Sequence, residues 1–181
     1  MALQGVNNMG NLDAYLQRKT AAVAARHQDW TAKPEAGIVQ LSASSRLAPN
    51  GGSRPTRMGN HLVISDSAPG LAGDGLGPTA PELLMGALAS CLLHTYVIHA
   101  CLQGVPVDAM EVIISGQIDM KAATAMTGYG NPLIEGLQYE AKIEASSATP
   151  EQIEALHAAV DANCPVLNTL RLPNSITRKT N

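Results

Sequence analysis

The longest apolar stretch of the chain, residues 81–104, predicts a single helix that is hydrophobic on nearly every side. No charged residue lies between Leu83 and Leu102. A helix of this kind is either enclosed within a protein or spans a membrane. Two histidines, a threonine and a tyrosine lie inside the stretch, and neither Lys nor Arg marks its ends. These features favour a core helix that is enclosed by sheet or by a second copy of itself.

Alternating apolar and polar positions predict strands on both sides of this helix. Two such segments, 38–44 and 61–66, precede it and are joined by a Gly- and Pro-rich hairpin connection. Two more, 110–120 and 133–144, follow it, and each has one apolar and one polar face, as in antiparallel sheets. The segment SITRK near the C-terminus is predicted to be an edge strand.

Three further helices are predicted from their end signals. The first covers residues 11–29, with Asn11 as its N-cap. Another begins after the capping signal at Thr149 and runs to Cys164, and a short one starts directly at Pro165.

The predicted order of elements is α-ββ-α-ββ-αα-β, which indicates an α+β fold. A chain of 181 residues is long enough for one domain with a substantial core. We expect residues 1–37 to form an N-terminal helical extension and residues 38–181 to form the main domain.

Composition excludes one class of partner and directs attention to thiols. The net charge is −3 and aromatic residues make up 3% of the chain, so neither a basic stripe nor base-stacking surfaces for nucleic acid are expected. The first residues resemble no signal peptide, which leads us to expect a cytosolic protein. Three cysteines in such a protein do not form a disulfide framework, so free thiols with a chemical role become the working hypothesis.

Two of the three cysteines occupy informative positions. Cys91 lies in the middle of the long apolar helix, where a free cysteine is more often an inert small hydrophobe than a reactive thiol. Cys164 precedes Pro165 at a predicted helix N-terminus, where backbone N–H groups and the helix dipole favour a thiolate. Cys101 is interpreted as a packing residue.

Glu82 and His94 each have two interpretations. Thr79 and Glu82 have the spacing of a capping box, in which the glutamate accepts from the N–H of the cap residue. His94 follows Cys91 by three residues, so it is placed either to polarise the thiol or to join Cys91 and Cys164 in a metal site. The ordinary alternative is a hydrogen-bonded histidine of the core. No Cys-x-x-Cys spacing supports zinc.

Two motifs in the chain resemble the OsmC/Ohr family of osmotically inducible and organic-hydroperoxide-resistance proteins. They are GPTAPELLMGALASCLLHTY, followed by GVPVD and a strand, and the helix that ends in NCPVLNTL. The resemblance covers residues 38–179 and is closest to the broad OsmC-like branch.

This resemblance implies an intertwined homodimer whose long central helices are enclosed by antiparallel sheets. It also implies a two-cysteine peroxidase, in which Cys91 is the peroxidatic thiol and Cys164 resolves it. A thiolate attacks the O–O bond and becomes a sulfenic acid, which condenses with a second thiol to form a disulfide.

The family supports its thiolate with an arginine that is held by a glutamate. Arg46 is the first candidate for this arginine and Arg57 the second, while Arg54 lies in the same connection. Glu82 is the candidate glutamate, but it precedes Cys91 by nine residues, about 180° around an ideal helix. That spacing departs from the pattern of the hydroperoxide branches by one residue and favours the capping interpretation.

The sequence therefore predicts a cytosolic homodimer that reduces organic hydroperoxides with electrons from an external dithiol. No metal, flavin or haem cofactor, no membrane and no nucleic acid are expected to take part. One alternative is a protein of the same fold that binds a small apolar ligand without peroxidase activity. Another is a metal-dependent enzyme that uses Cys91, His94 and Cys164.

Overall fold

The computed structural model describes residues 12–49 and 51–180, and it has the predicted α+β fold. In chain order the described elements are α1 (Leu12–Ala32), β1 (Ala43–Ser45), β2 (Arg54–Met58), β3 (His61–Ser65), α2 (Ala80–Gln103), β4 (Ala109–Ile118), α3 (Met120–Ala123), β5 (Ile134–Glu144), α4 (Pro150–Asn163) and α5 (Pro165–Arg171). The N-cap predicted at Asn11 lies outside the described residues.

The described strands form two sheets. Strands β1, β2 and β3 form an antiparallel meander in that order, and β4 pairs with β5. The second pair is antiparallel as well, because Asp108 N–H donates to Glu144 O at one end while Gly116 faces Glu135 and Leu137 at the other.

The first predicted strand pair needs correction. Residues 38–42 are not a strand, and Ile38, Val39 and Leu41 are 72%, 71% and 90% exposed. The hairpin connection instead contains β2, which pairs with β3 around a two-residue turn in which Gly59 has φ +57°. A Gly-Asn pair is a strong hairpin signal that the sequence interpretation missed.

Two other predictions fail near chain turns. The segment SITRK forms no strand, and its Ile176 is 94% exposed. The strand predicted to reach residue 120 ends at Ile118, because Asp119 caps the short helix α3 by accepting from Lys121 N–H.

The chain divides into two compact units. We call residues 12–32, 88–113 and 139–180 the core unit, and residues 33–87 and 114–138 the strand unit. Every buried apolar side chain of the described residues belongs to the core unit: Leu88, Leu92, Tyr96, Val97, Ala100, Val105, Val107, Leu156, Val160, Cys164 and Leu167. The core unit therefore contains the hydrophobic interior that positions the candidate site.

Helix α2 contributes the largest part of that interior. Its 24 residues contain an 18-residue window with a mean hydropathy of 1.5, so by length and composition alone the helix could cross a membrane. The core helix of a soluble protein passes the same test. Six residues of α2 are buried within the single chain, which supports the core interpretation.

Candidate active site

Cys91 and Cys164 are free thiols that lie close together inside the core unit. Cys91 is half-buried near the middle of α2, and Cys164 is fully buried. The two side chains are near enough for the thiol of Cys164 to raise the pKa of Cys91. Two thiols at such close quarters need a modest movement of their side chains to reach the geometry of a disulfide.

The position of Cys164 follows from the proline that comes after it. Cys164 has φ −73° and ψ 114° and ends α4, while Pro165 supplies the first residue of α5 without needing a hydrogen-bond acceptor for an N–H group. Its N–H donates to Val160 O at 2.9 Å, and its carbonyl accepts from Asn168 N–H at 3.0 Å. The backbone at Cys164 is therefore fixed by both helices.

Several neighbours act on the acidity of Cys91. Burial is the largest effect and raises the pKa of the Cys91 thiol, and contact with the thiol of Cys164 raises it further. The backbone N–H of Val166 and the hydroxyl of Thr95 lower the pKa of Cys91, because nearby donors favour the thiolate. Among the described residues of the core unit, none of the groups that shift this pKa is a cation.

Thr95 is a site residue that the sequence interpretation missed. It is buried one helical turn after Cys91, and its hydroxyl donates to the Cys91 carbonyl at 2.8 Å. The same hydroxyl reaches the Cys91 sulfur. A hydroxyl has one proton, so rotation about the Cα–Cβ bond of Thr95 selects between the carbonyl and a thiolate. The sequence signal for this interaction was the spacing of four residues between Cys91 and Thr95, which places them on the same face of the helix.

The N–H group at the start of α5 serves a different cysteine from the one predicted. The sequence assigned the positive end of this helix to Cys164. In the structure the N–H of Val166 lies near the sulfur of Cys91 and lowers the pKa of that thiol. Because the Pro165 nitrogen carries no hydrogen, Val166 provides the first N–H group of α5.

Glu82 forms the capping box that its spacing predicts. Its carboxylate accepts from Thr79 N–H at 2.7 Å and from Thr79 Oγ1 at 2.8 Å, while Glu82 N–H donates to the same hydroxyl at 3.5 Å. The backbone hydrogen bond from Thr79 lowers the pKa of this exposed carboxyl group. Among the described residues, both hydrogen bonds of the Glu82 carboxylate are therefore made to Thr79, and both stabilise the start of α2.

The three candidate arginines have different surroundings within the strand unit. Arg54 donates from Nη1 to Gly52 O at 2.8 Å and to Ser67 Oγ at 3.2 Å, so it is engaged in the loop. Arg46 and Arg57 line one cavity of about 360 Å³.

The remaining candidates have structural partners. Lys19 Nζ lies 2.6 Å from His94 Nε2, and the thiol of Cys101 donates to Leu16 O at 3.6 Å. In the part of the chain that the structure describes, no group of three or more His, Cys, Asp or Glu side chains is arranged to hold a metal ion. The hypothesis of a site formed by Cys91, His94 and Cys164 therefore finds no support in this geometry.

Solved structures with a similar fold belong to OsmC-like proteins. An OsmC-like protein from Mycoplasma pneumoniae has a TM-score of 0.61 and 17% identity, over 74% of this chain and 88% of its own. An OsmC-like protein of unknown function from Vibrio cholerae gives 0.58 and 15%, over 73% and 94%. An organic hydroperoxide resistance protein from Legionella pneumophila gives 0.53 and 17%, over 75% and 91%. At these low identities, the TM-scores show a shared fold alone.

No curated protein is significantly similar in sequence to this chain. The family model for OsmC-like protein, however, matches residues 73–179, which is more than half of the chain. That range contains both cysteine motifs on which the resemblance rests. The chain therefore belongs to the OsmC-like protein family.

Proposed function

We propose that this protein is a peroxidase that reduces organic hydroperoxides through Cys91 and Cys164. The observation that carries the proposal is the proximity of these two free thiols in the core unit. Membership of the OsmC-like family supports it, because a structural neighbour bears the name organic hydroperoxide resistance protein.

The cycle consists of three balanced steps. The Cys91 thiolate attacks the terminal peroxide oxygen, which forms an S–O bond and breaks the O–O bond. Cys91 becomes a sulfenic acid, and the alkoxide takes a proton to leave as an alcohol. The thiol of Cys164 then displaces hydroxide from the sulfenic acid, which forms the Cys91–Cys164 disulfide and releases water. An external dithiol reduces this disulfide by exchange and is itself oxidised to a disulfide.

The thiolate requires stabilisation because burial raises the pKa of Cys91. Val166 N–H and the Thr95 hydroxyl supply two donors. We assign the missing cation to Arg46, with Arg57 second, since the guanidinium of Arg54 already binds within its loop. Glu82 remains our candidate to orient that arginine, in addition to capping α2.

A homodimer and a cytosolic location complete the proposal. Helix α2 is apolar along its length, yet only 33% of its most apolar window is buried within one chain. A second copy of the chain would remove more of this surface from water. A reducing cytosol would keep the thiols free and supply the dithiol.

The experiment is a titration of thiols before and after exposure to cumene hydroperoxide at neutral pH. The fully reduced protein has three cysteines. Stoichiometric peroxide should consume the thiols of Cys91 and Cys164 together, and a dithiol reductant should restore both. The Cys101→Ser variant is the matched control and should lose its remaining pair in the same way.

One observation favours the alternative of a binding protein for a small apolar ligand. Burial raises the pKa of Cys91, and no cation of its own unit acts on it, which suits an unreactive thiol. Thiols that persist after prolonged exposure to stoichiometric peroxide would contradict the peroxidase proposal and support this alternative.

A further inference from the structure

Hydrogen bonds between polar side chains cross the interior of the core unit. The hydroxyl of Tyr96 lies 2.6 Å from His157 Nδ1, and the two rings meet edge to face with centroids 5.5 Å apart. Tyr139 donates its hydroxyl to Asp161 Oδ1 at 2.6 Å. Tyr139 lies near enough to Tyr96 for each hydroxyl to act on the pKa of the other. The two hydrogen-bonded pairs form a network that ties both α2 and β5 to α4.

Asp161 is the acceptor at which two of these hydrogen bonds meet. Tyr139 donates its single proton to Asp161 Oδ1, and Arg171 Nη2 donates to the same oxygen at 3.2 Å. Between Tyr96 and His157 the tautomer of the imidazole decides which group donates.

The network is well protected from water at its centre. The side chain of Tyr96 is fully buried, and Tyr139 is half-buried. Burial is the largest effect that raises the pKa of both tyrosines, so their hydroxyls remain protonated donors at neutral pH. A buried hydroxyl that loses its partner is costly, which makes the geometry of the network specific.

The ends of the network lie close in sequence to the two thiols. Tyr96 follows Cys91 by five residues on α2, and Asp161 precedes Cys164 by three residues at the end of α4. The hydrogen bond between Tyr96 and His157 therefore connects the helix that carries one cysteine to the helix that ends at the other, and Tyr139 holds the end of that second helix through Asp161.

The same network also anchors α5. The guanidinium of Arg171 on α5 binds Asp161, and the first N–H of α5, that of Val166, lies near Cys91. A shift of α4 relative to α2 would therefore change the separation of the thiols and the position of this N–H group together.

We propose that Tyr96, Tyr139 and Asp161 are positioning residues whose network holds Cys91 and Cys164 within reach of each other. This inference rests on the proposed function for its biological role, since a sulfenic acid at Cys91 is protected from further oxidation only when Cys164 is at hand. Independently of that role, the network keeps the two thiols close together, which raises the effective concentration of one thiol at the other.

The experiment measures the equilibrium between the Cys91–Cys164 disulfide and reduced dithiothreitol in the Cys101→Ser background. Tyr96→Phe and Tyr139→Phe remove a hydroxyl and keep the ring, and each should lower the equilibrium constant for disulfide formation by about tenfold. Tyr15→Phe is the matched control, since its exposed ring on α1 lies outside the network, and it should leave the constant unchanged.

Conservative replacement separates positioning from simple structural support. Asp161→Asn retains an oxygen acceptor, so its equilibrium constant for disulfide formation should be closer to that of the parent protein than the constant of Asp161→Ala. Should Tyr139→Phe fail to fold, Arg171→Gln tests the exposed end of the network, where loss of the ion pair should lower the constant by about twofold. Melting temperatures that fall while the disulfide constant stays unchanged would overturn the proposal.

This equilibrium does not depend on peroxide, so the two proposals fail separately. A protein that forms the disulfide with oxidised dithiothreitol but ignores cumene hydroperoxide would contradict the peroxidase and leave positioning intact. If the Tyr96→Phe and Tyr139→Phe variants consume peroxide normally and keep the disulfide constant of the parent protein, the positioning proposal is contradicted. The peroxidase proposal then remains intact.

Discussion

The core unit and the strand unit are held together by different interactions. Among the described residues, the core unit buries eleven apolar side chains, whereas the buried residues of the strand unit are the polar Ser65 and Asp66. The carboxylate of Asp66 accepts N–H groups from Ser67 at 2.8 Å, Asp74 at 2.9 Å and Leu76 at 3.2 Å. Hydrophobic packing thus organises one unit, and a buried carboxylate organises a loop of the other.

This difference explains where the candidate chemistry lies. A pair of thiols must be held in a fixed relation, and interdigitated side chains in a dense core provide that rigidity. The strand unit contains the candidate arginines and leaves several apolar side chains, such as Leu62 and Leu76, exposed by 56% and 63% in the single chain. Exposed apolar surface of this kind is suited to a partner, in agreement with the proposed homodimer.

The largest predicted effect tests the hydrophobic organisation of the core unit. Leu156 is fully buried, so Leu156→Ala should lower the free energy of unfolding by about 2–5 kcal/mol. Leu71→Ala in the strand unit is the control, because its side chain is 50% exposed, and should change it by less than about 0.5 kcal/mol. Urea denaturation measures both. Equal effects would contradict the assignment of the core to one unit.

The next prediction tests close backbone packing in the strand unit. A Cβ atom at Gly77 would lie 1.9 Å from the carbonyl oxygen of Ile64, so Gly77→Ala should destabilise the protein by about 1–3 kcal/mol. Gly70 has open space at the corresponding position, which makes Gly70→Ala the matched control. A difference scan of thermal unfolding measures the effect. Identical melting temperatures would show that this loop packs loosely.

Acid stability should reveal the contribution of Asp66. The N–H of Leu76 is the largest influence on this carboxyl group, and with the N–H groups of Ser67 and Asp74 it lowers the pKa of Asp66 below 3.8. A lowered pKa in the folded state stabilises the protein above the ordinary value and loses that effect as pH falls through the folded value. Asp66→Asn should therefore be less stable than the parent protein at neutral pH.

The difference between the two proteins should shrink from about pH 5 downward and continue to shrink below pH 3.8. Asp74→Asn is the control, because the side chain of Asp74 accepts none of these backbone hydrogen bonds within the described residues. Melting curves at several pH values measure the trend. A difference that is constant with pH would contradict a stabilising role for the ionised carboxylate.

The smallest predicted effect concerns the thiol itself. Thr95→Val removes the hydroxyl that lowers the pKa of Cys91, so alkylation of Cys91 by iodoacetamide at neutral pH should slow by about 2- to 10-fold. Thr95→Ser keeps the hydroxyl and should react like the parent protein. The rate as a function of pH, in the Cys101→Ser background, separates a change in pKa from a change in access.

The helices were predictable because their signals are local. The capping boxes at Thr79 and Thr149 and the proline at position 165 mark helix starts that the structure confirms. Strands depend on partners, and alternation alone did not show that residues 38–42 lack one. The missed strand β2 follows from a Gly-Asn turn, whose role is clear once His61 pairs with Met58.

The site was only partly predictable. Spacing indicated the cap at Glu82, but it did not indicate the proximity of Cys91 and Cys164, which depends on the packing of α2 against distant parts of the core unit. The hydroxyl of Thr95 and the N–H of Val166 were missed for the same reason. The donors near a sulfur are set by tertiary structure, whereas a capping box is set by four consecutive residues at the start of one helix.

The central claim is that Cys91 and Cys164 form one redox pair. It is tested most directly by treating reduced protein with one equivalent of cumene hydroperoxide and mapping disulfides by mass spectrometry of peptides under non-reducing conditions. We predict a Cys91–Cys164 disulfide in nearly all molecules and a free Cys101. A protein whose three thiols stay free, or in which Cys91 is oxidised while Cys164 remains a thiol, would contradict the claim.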